Sequence, residues 1–261
     1  HYQYKRDVMT FNQILSWNRD FGRHNISALA GHEAYKEDYY YLEVSKENFY
    51  YPGDPELANA AKITGATSYK NSRRIESYFA KADYSFDNRY YASLSFRRDA
   101  SSRFHKDNRW GNFWAIGASW RVSQENFMQN VSWIQNLKLK ASYGTNGVEN
   151  ILDPAGYEQW YAWQDQYGIT SDGTNLGLNP SYYKGNRSLT WEKSKNFNVG
   201  IETDLFDWFS LDAEYFIRKS DDLLFNRPLP PSSGFTSYPD NIGSMKNQGV
   251  EFDLTFNIFK Q

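Results

Sequence analysis

The feature that most constrains this chain is a period-two alternation in which charge keeps almost entirely to one parity. Residues 78–104 read "YFAKADYSFDNRYYASLSFRRDASSRF". Tyr78, Ala80, Ala82 and Tyr84 alternate with Phe79, Lys81, Asp83 and Ser85. After a short turn at Asp87-Asn88, Tyr90, Ala92, Leu94 and Phe96 alternate with Ser93, Ser95, Arg97 and Asp99. Alternation of this kind is the signature of β-strands with one apolar face. Two architectures satisfy it. A soluble antiparallel sheet turns the apolar face to a core, whereas a transmembrane barrel turns it to lipid and lines a wet lumen with the polar face.

The same grammar recurs. Trp114, Ile116, Ala118, Trp120 and Val122 form one parity of 113–122, and Leu137, Leu139, Ala141 and Tyr143 one parity of 137–143. Phe197, Val199, Ile201, Thr203 and Leu205 follow, then Leu211, Ala213, Tyr215 and Ile217. The last run holds Val250, Phe252, Leu254, Phe256 and Ile258. Runs at 10–17 and 26–41 are also extended, with less cleanly sorted faces. Nine strands are expected and almost no helix, apart from a short helical turn in "SQENFMQNVSWIQN" (123–136).

Composition sharpens the choice. Aromatic residues make up 18% of the chain, with 21 Tyr, 18 Phe and 9 Trp, yet mean hydropathy is −0.79. So many rings in so polar a chain must be concentrated on one parity of many strands. No run approaches the roughly 18 apolar residues of a membrane-spanning helix, but a barrel strand needs only about 9–11 residues and no continuous hydrophobicity. A net charge of −2 gives no electrostatic reason for a nucleic-acid partner. The absence of cysteine removes thiolate metal sites, disulfides and thiol nucleophiles.

Connections alternate between short and long. Those at 18–25, 87–88, 123–135 and 207–209 are tight. Those near 42–72, 147–190 and 226–246 are long and hold the prolines and most of the glycines, with a modest loop at 104–110 between them. Short turns at one end and long loops at the other characterise outer-membrane barrels, with the short turns periplasmic. Mid-strand charges sit on the polar parity, where Lys81, Arg97, Asp99, Asp212 and Glu214 are expected to face the lumen. Lys or Arg on the other parity would cost roughly 2–4 kcal/mol near the midplane. Tyr84, Tyr90, Trp120 and Trp208, near strand ends, suit an interfacial girdle, although each alone also suits ordinary cross-strand packing.

Catalytic patterns are weak. Asp221-Asp222 reads as solvated charge at a strand end, the four histidines lack metal-ligand spacing, and "DGTN" (172–175) reads as a glycine turn rather than a calcium loop. No catalysis, metal or cofactor is expected. Binding is the better prospect. "YEQWYAWQDQYG" (157–168) places Trp160, Tyr161, Trp163 and Tyr167 in one loop beside Gln159, Gln164 and Gln166. Flat rings with amides could hold a sugar face or a peptide. Packing of the loop on itself ranks first, contact with a partner protein second and contact with cargo third.

Five segments carry a family resemblance: "LSFRRDASSRF" (94–104), "WRVSQENFM" (120–128), "ASYGTNG" (141–147), "WEKSKNFNVGIE" (191–202) and "NIGSMKNQGVEFDL" (241–254). In sequence and in order they resemble barrel segments of SusC/RagA-type TonB-dependent outer-membrane transporters, over nearly the whole chain. The resemblance implies an all-β fold in which these strands belong to a larger antiparallel barrel of about 22 strands. It implies an N-terminal plug, which has no counterpart in these residues, so the chain is expected to be a portion of the wall. It further implies a SusD-like surface lipoprotein as lid, energy supplied through the TonB complex, and glycan or peptide oligomers as cargo. Outer-membrane import is therefore the expected function. A soluble all-β carbohydrate-binding module is the alternative, and a β-rich glycoside hydrolase a distant third.

Overall fold

A computed structural model describes residues 1–153, 156–180 and 183–257. Nine strands pair antiparallel in one sheet: β1 (Tyr2–Phe21), β2 (His24–Phe49), β3 (Ala60–Phe86), β4 (Tyr90–Ser101), β5 (Trp110–Arg121), β6 (Ile134–Val148), β9 (Glu192–Leu205), β10 (Phe209–Asp221) and β13 (Ser244–Phe256). Neighbours in the sheet follow chain order, an up-and-down meander with β1 and β13 at its edges. Two further hairpins lie in the long loops: β7 (Tyr167–Ser171) with β8 (Leu176–Pro180), and β11 (Leu224–Pro228) with β12 (Ser237–Asn241). The nine expected strands are the nine of the sheet. Ile258, expected in the last run, lies outside the described residues.

The register aligns the apolar parities into one face. Trp17 pairs with Ala28, then in turn Ala82, Leu94, Ile116, Tyr143, Phe197, Ile217 and Gln248. This row starts near the short-turn end of β1 and finishes above the apolar stretch of β13, which runs from Val250 to Phe256. A row of partners that crosses the apolar band obliquely is what tilted strands produce in a barrel wall. Nothing among the described residues packs on this face, and Leu94, Ile116 and Phe252 are 55%, 51% and 68% exposed. The soluble alternative requires a second layer here and finds no support.

Most charge occupies the opposite face, together with a few rings. Phe79 and Phe113 break the polar parity there, but both lie flat on the wall. A Cβ on Gly31, the partner of Phe79, or on Gly147 would run into the respective ring. Glycine thus makes the slot in which each ring rests.

The tight turns form where they were expected. Asp87 and Asn88 both have positive φ (54° and 53°), the type I′ geometry that suits the right-handed twist of a hairpin. The 123–135 linker contains two 3-10 turns, Val122–Gln124 and Asn126–Met128. A chain of ion pairs ties these turns together: Arg23 to Asp87, Asp87 to Arg89 at 3.2 Å, and Arg89 to Glu125 at 3.3 Å. Stacked rings follow the same rim, from Phe86 to Tyr90 to Trp120 and from Trp133 through Phe206 and Trp208 to Phe256. Of the four proposed girdle rings, Tyr90, Trp120 and Trp208 belong to this belt. Tyr84 instead bonds His24 Nδ1 through its hydroxyl at 2.7 Å.

The long connections need correction. The loop expected at 42–72 shrinks to residues 50–59, because β2 and β3 remain paired from Leu42–Ser68 to Phe49–Ala60, with one register shift at Ser45/Lys46. At roughly 3.3 Å per residue, the 26 residues of β2 reach far past the ~30 Å of hydrocarbon. Beyond the lipid both faces meet water, so alternation ceases to report the strand. The 147–190 loop contains β7 and β8. The last loop starts earlier than 226, with β11 at Leu224, and ends before β13 at Ser244.

The buried hydrophobic cluster sits at the long-loop rim, on the sheet's polar side. Phe104, Ile151, Ala162, Leu189 and Trp191 pack on Phe113 of β5, with Leu224 at the margin. Trp191 donates its indole N–H to the Arg109 carbonyl at 2.8 Å. The wall has no core of its own. Its loops do.

Candidate functional site

The projecting part of β2 and β3 presents Tyr39, Tyr41, Tyr69 and Asn71 on the polar parity, and Tyr41 stacks on Tyr69 at 5.1 Å. The segment after β6 folds toward these rings and is held at several points. Arg73 on β3 pairs with the buried Glu149. Arg103, 1% exposed, donates to Asn150 at 2.9 Å and to Glu158 at 2.8 Å. Burying a guanidinium is costly unless its charge is answered, so Arg103 and these two acceptors fix the loop's path together. Tyr161 accepts the Ser72 backbone N–H at 2.9 Å.

Between loop and hairpin lies a cleft of about 520 Å³, lined by Tyr39, Tyr69, Tyr157, Trp160, Tyr161 and Tyr183 with Asn71, Gln159 and Gln166. Trp160 stacks on Tyr39 at 6.2 Å. Burial pushes the Tyr183 hydroxyl up to about 12, so this ring stays neutral. Gln159 is 3% exposed; its Nε2 donates to Asn226 of β11 at 3.1 Å, while its Oε1 has no partner. A buried, unanswered acceptor beside neutral rings suits a ligand that carries hydroxyl or N–H donors.

The four rings expected to act together do not all meet here. Trp160 and Tyr161 line the cleft. Trp163 turns away, its indole N–H reaching the Ser102 carbonyl at 3.3 Å and its ring meeting His105 edge-on at 5.3 Å. Tyr167, on β7, lies edge-on to Phe235 at 6.1 Å. Trp163 is thus taken up by contacts within the loops, while Tyr167 remains 53% exposed beside Phe235. Gln159, one of the amides expected beside the rings, does line the cleft, whereas the contributions of Tyr39, Tyr69 and Tyr183 were not foreseen, because they come from segments far apart in the chain. The last long loop closes the arrangement. Asn241, in the "NIGSM" segment, accepts the Thr190 N–H and donates to the Thr190 carbonyl, both at 2.9 Å.

The expected lumen charges all carry partners on the polar face. Lys81 pairs with Asp83 at 2.8 Å. Arg97 reaches Asp99 at 2.7 Å and Glu33 at 3.0 Å. Asp212 and Glu214 both face Lys140, at 2.7 and 3.6 Å. These are three separate groups rather than one site. Exposed pairs of this kind contribute about 0–1 kcal/mol each.

Residues 1–260 match the family model of the TonB dependent receptor-like β-barrel. The chain belongs to this family. TonB-dependent receptor P3 of Formosa agariphila is 31% identical over 97% of the chain, and TonB-dependent receptor SusC of Bacteroides thetaiotaomicron is 29% identical over 97%. The chain spans about a quarter of each relative's length (25% and 26%). The RagAB peptide importer in its closed-closed state superposes on the whole chain with a TM-score of 0.89 at 28% identity, using 28% of that chain. The siderophore receptor PirA of Acinetobacter baumannii shares the fold alone, with a TM-score of 0.60 at 13% identity over 98% of the chain. These findings establish the resemblance to SusC/RagA-type transporters and place this stretch of TonB-dependent barrel in the outer membrane.

Proposed function

We propose that these residues form part of the wall and outer loops of a TonB-dependent importer that carries an oligomeric nutrient, a glycan or a peptide, across the outer membrane. The observation that carries this reading is the sheet itself: an apolar face that nothing among the described residues covers, a charged face behind it, and a match of the whole chain to 28% of a peptide importer. The tight turns then lie on the periplasmic side and the long loops outside. In the whole protein, a SusD-like lipoprotein would cover the loops and the TonB complex would act through a plug. The wall supports transport and performs no catalysis. Lys81, Arg97, Asp99, Asp212 and Glu214 line the lumen as paired charges. Trp160 and Tyr161 are the aromatic residues that meet cargo or the lid, while Trp163 and Tyr167 hold the loop in place.

Fractionation of the native source tests the placement. Carbonate-washed outer membranes should retain a band far larger than this chain that reacts with antibody to residues 157–168, and intact cells should bind the same antibody. Growth on defined oligosaccharides or oligopeptides, before and after Trp160→Ala in the full-length protein, tests the function. A soluble band of this size, or growth on every oligomer indifferent to loss of the whole gene, would overturn the reading.

A further inference from the structure

The lipid-facing side of the wall carries a groove that the transport reading does not use. In one row of partners, Phe11, Ala34, Glu76, Ala100 and Trp110 succeed one another across β1 to β5. The two alanines leave a depression between the flanking rings, about 530 Å³ in volume, with Met9 and His32 completing its apolar lining. Tyr78 extends the aromatic side, stacking on Trp110 at 6.2 Å and meeting His32 at 4.9 Å.

The rim of this groove is cationic. Lys36, Arg74 and Arg109 line it, and Arg98 lies over the Trp110 ring at 4.8 Å. Two carboxylates answer these four cations. Asp38 is shared between Lys36 at 3.0 Å and Arg74 at 2.8 Å. Glu76 is taken up by the Tyr78 hydroxyl at 2.6 Å and faces His32 at 3.7 Å. The exposed Arg98 has no ion pair among the described residues, and Arg109 Nε is buried without a partner.

Height decides what meets this patch. Ala34, Glu76 and Ala100 each lie about ten residues from the tight turns, the span of a strand across hydrocarbon. The groove therefore opens where acyl chains give way to headgroups, and on the reading above this is the outer leaflet. Lys36, Arg74 and Arg109 lie on the side of this row away from the tight turns, and Arg98 on the near side. An apolar groove under a cationic outer rim matches an amphiphile whose headgroup is anionic. Near a membrane surface each Lys or Arg contributes about 1 kcal/mol toward such a lipid, or about fivefold in affinity.

We propose that this groove binds a phosphorylated lipid of the outer leaflet, with an acyl chain between Phe11 and Trp110 and the phosphate on Lys36, Arg74 and Arg109. The test uses the full-length transporter in phosphatidylethanolamine nanodiscs with and without bis-phosphorylated lipid A, bound lipid being counted by native mass spectrometry. Wild type should retain the phosphorylated lipid. Lys36→Ala with Arg109→Ala should weaken retention by about 25-fold, and Ala34→Trp, which fills the groove, should abolish it. Lys219→Ala, on the same parity at the rim of β10, should retain it. Heat-modifiable gel migration verifies that each variant is a folded barrel. Equal retention by all variants, equal retention of phosphatidylethanolamine, or displacement by millimolar inorganic phosphate would overturn the proposal. Antibody labelling of residues 157–168 on intact cells tests the orientation separately, so failure of that reading is distinguishable from an empty groove.

Discussion

The Lys140 ammonium sits 2.7 Å from the Asp212 carboxylate although a whole strand, β9, separates β6 from β10. The residue between them is Gly200, partner of Lys140 on one side and of Glu214 on the other. A Cβ there would come within 2.9 Å of Lys140 Cε and 2.8 Å of the Ala213 carbonyl. The lysine crosses the strand because nothing stands in its way.

Gly200→Val should therefore cost more than Lys140→Ala. Overpacking costs about 1–3 kcal/mol, whereas a half-exposed ion pair contributes about 0–1 kcal/mol. Urea unfolding of the full-length protein in lipid vesicles measures both, and the reverse order would refute the strand-crossing role.

Adjacent residues should respond oppositely to charge. Leu94→Arg, on the lipid-facing parity, should cost roughly 2–4 kcal/mol near the midplane, while Ser93→Arg or Ser95→Arg on the lumen parity should cost less than about 1 kcal/mol. Folding yield into vesicles and urea midpoints read the difference.

Glu125 gathers one rim of the wall. It accepts the Tyr90 hydroxyl at 2.6 Å, the Trp120 indole N–H at 3.0 Å and Arg89 at 3.3 Å. The Tyr90 bond first, then that of Trp120, holds its carboxyl below the usual glutamate range. A lowered folded value means that the stabilisation is complete above the unfolded glutamate pKa and fades as pH falls through the folded one. Thermal unfolding from neutral to acid pH should show a loss in wild type that Glu125→Gln lacks.

Asp172 caps the β7–β8 hairpin by accepting the N–H groups of Asn175 at 2.7 Å and Thr174 at 2.9 Å, which lower its carboxyl to about 2. Its contribution is fully present above the ordinary aspartate pKa and is lost as pH falls through the folded value of about 2. Asp172→Ala should speed hydrogen exchange across residues 171–176 at neutral pH, and wild type should acquire that rate only in strong acid. Equal rates at neutral pH would rule the cap out.

The wall was legible in the sequence because lipid enforces parity. Leu94 and Ile116 have no freedom to be polar, and Ser93 and Gly117 have no need to be apolar. Where β2 and β3 leave the hydrocarbon the enforcement stops, so the extended run ending at Tyr41 lost its sorted faces, Tyr69 looked like loop, and the cleft they help form stayed hidden. β7 and β8 were missed for a related reason, since "YGITS" and "LGLNP" are rich in turn residues and pair only with each other. Within the candidate site, Trp160 and Tyr161 stood out as rings. Gln159 stood out as an amide beside them, but Arg103 did not, because burial rather than residue type gives it its role.

Phe79 and Phe113 resting in glycine slots have a consequence for what the wall encloses. A phenyl ring standing upright would narrow the bore and offer passing molecules a greasy foothold. Laid flat, it adds stiffness without obstruction. Phe79 then offers its face to the Arg97 guanidinium, 5.5 Å from the ring centre, and Phe113 becomes the floor on which the outer loops build their core.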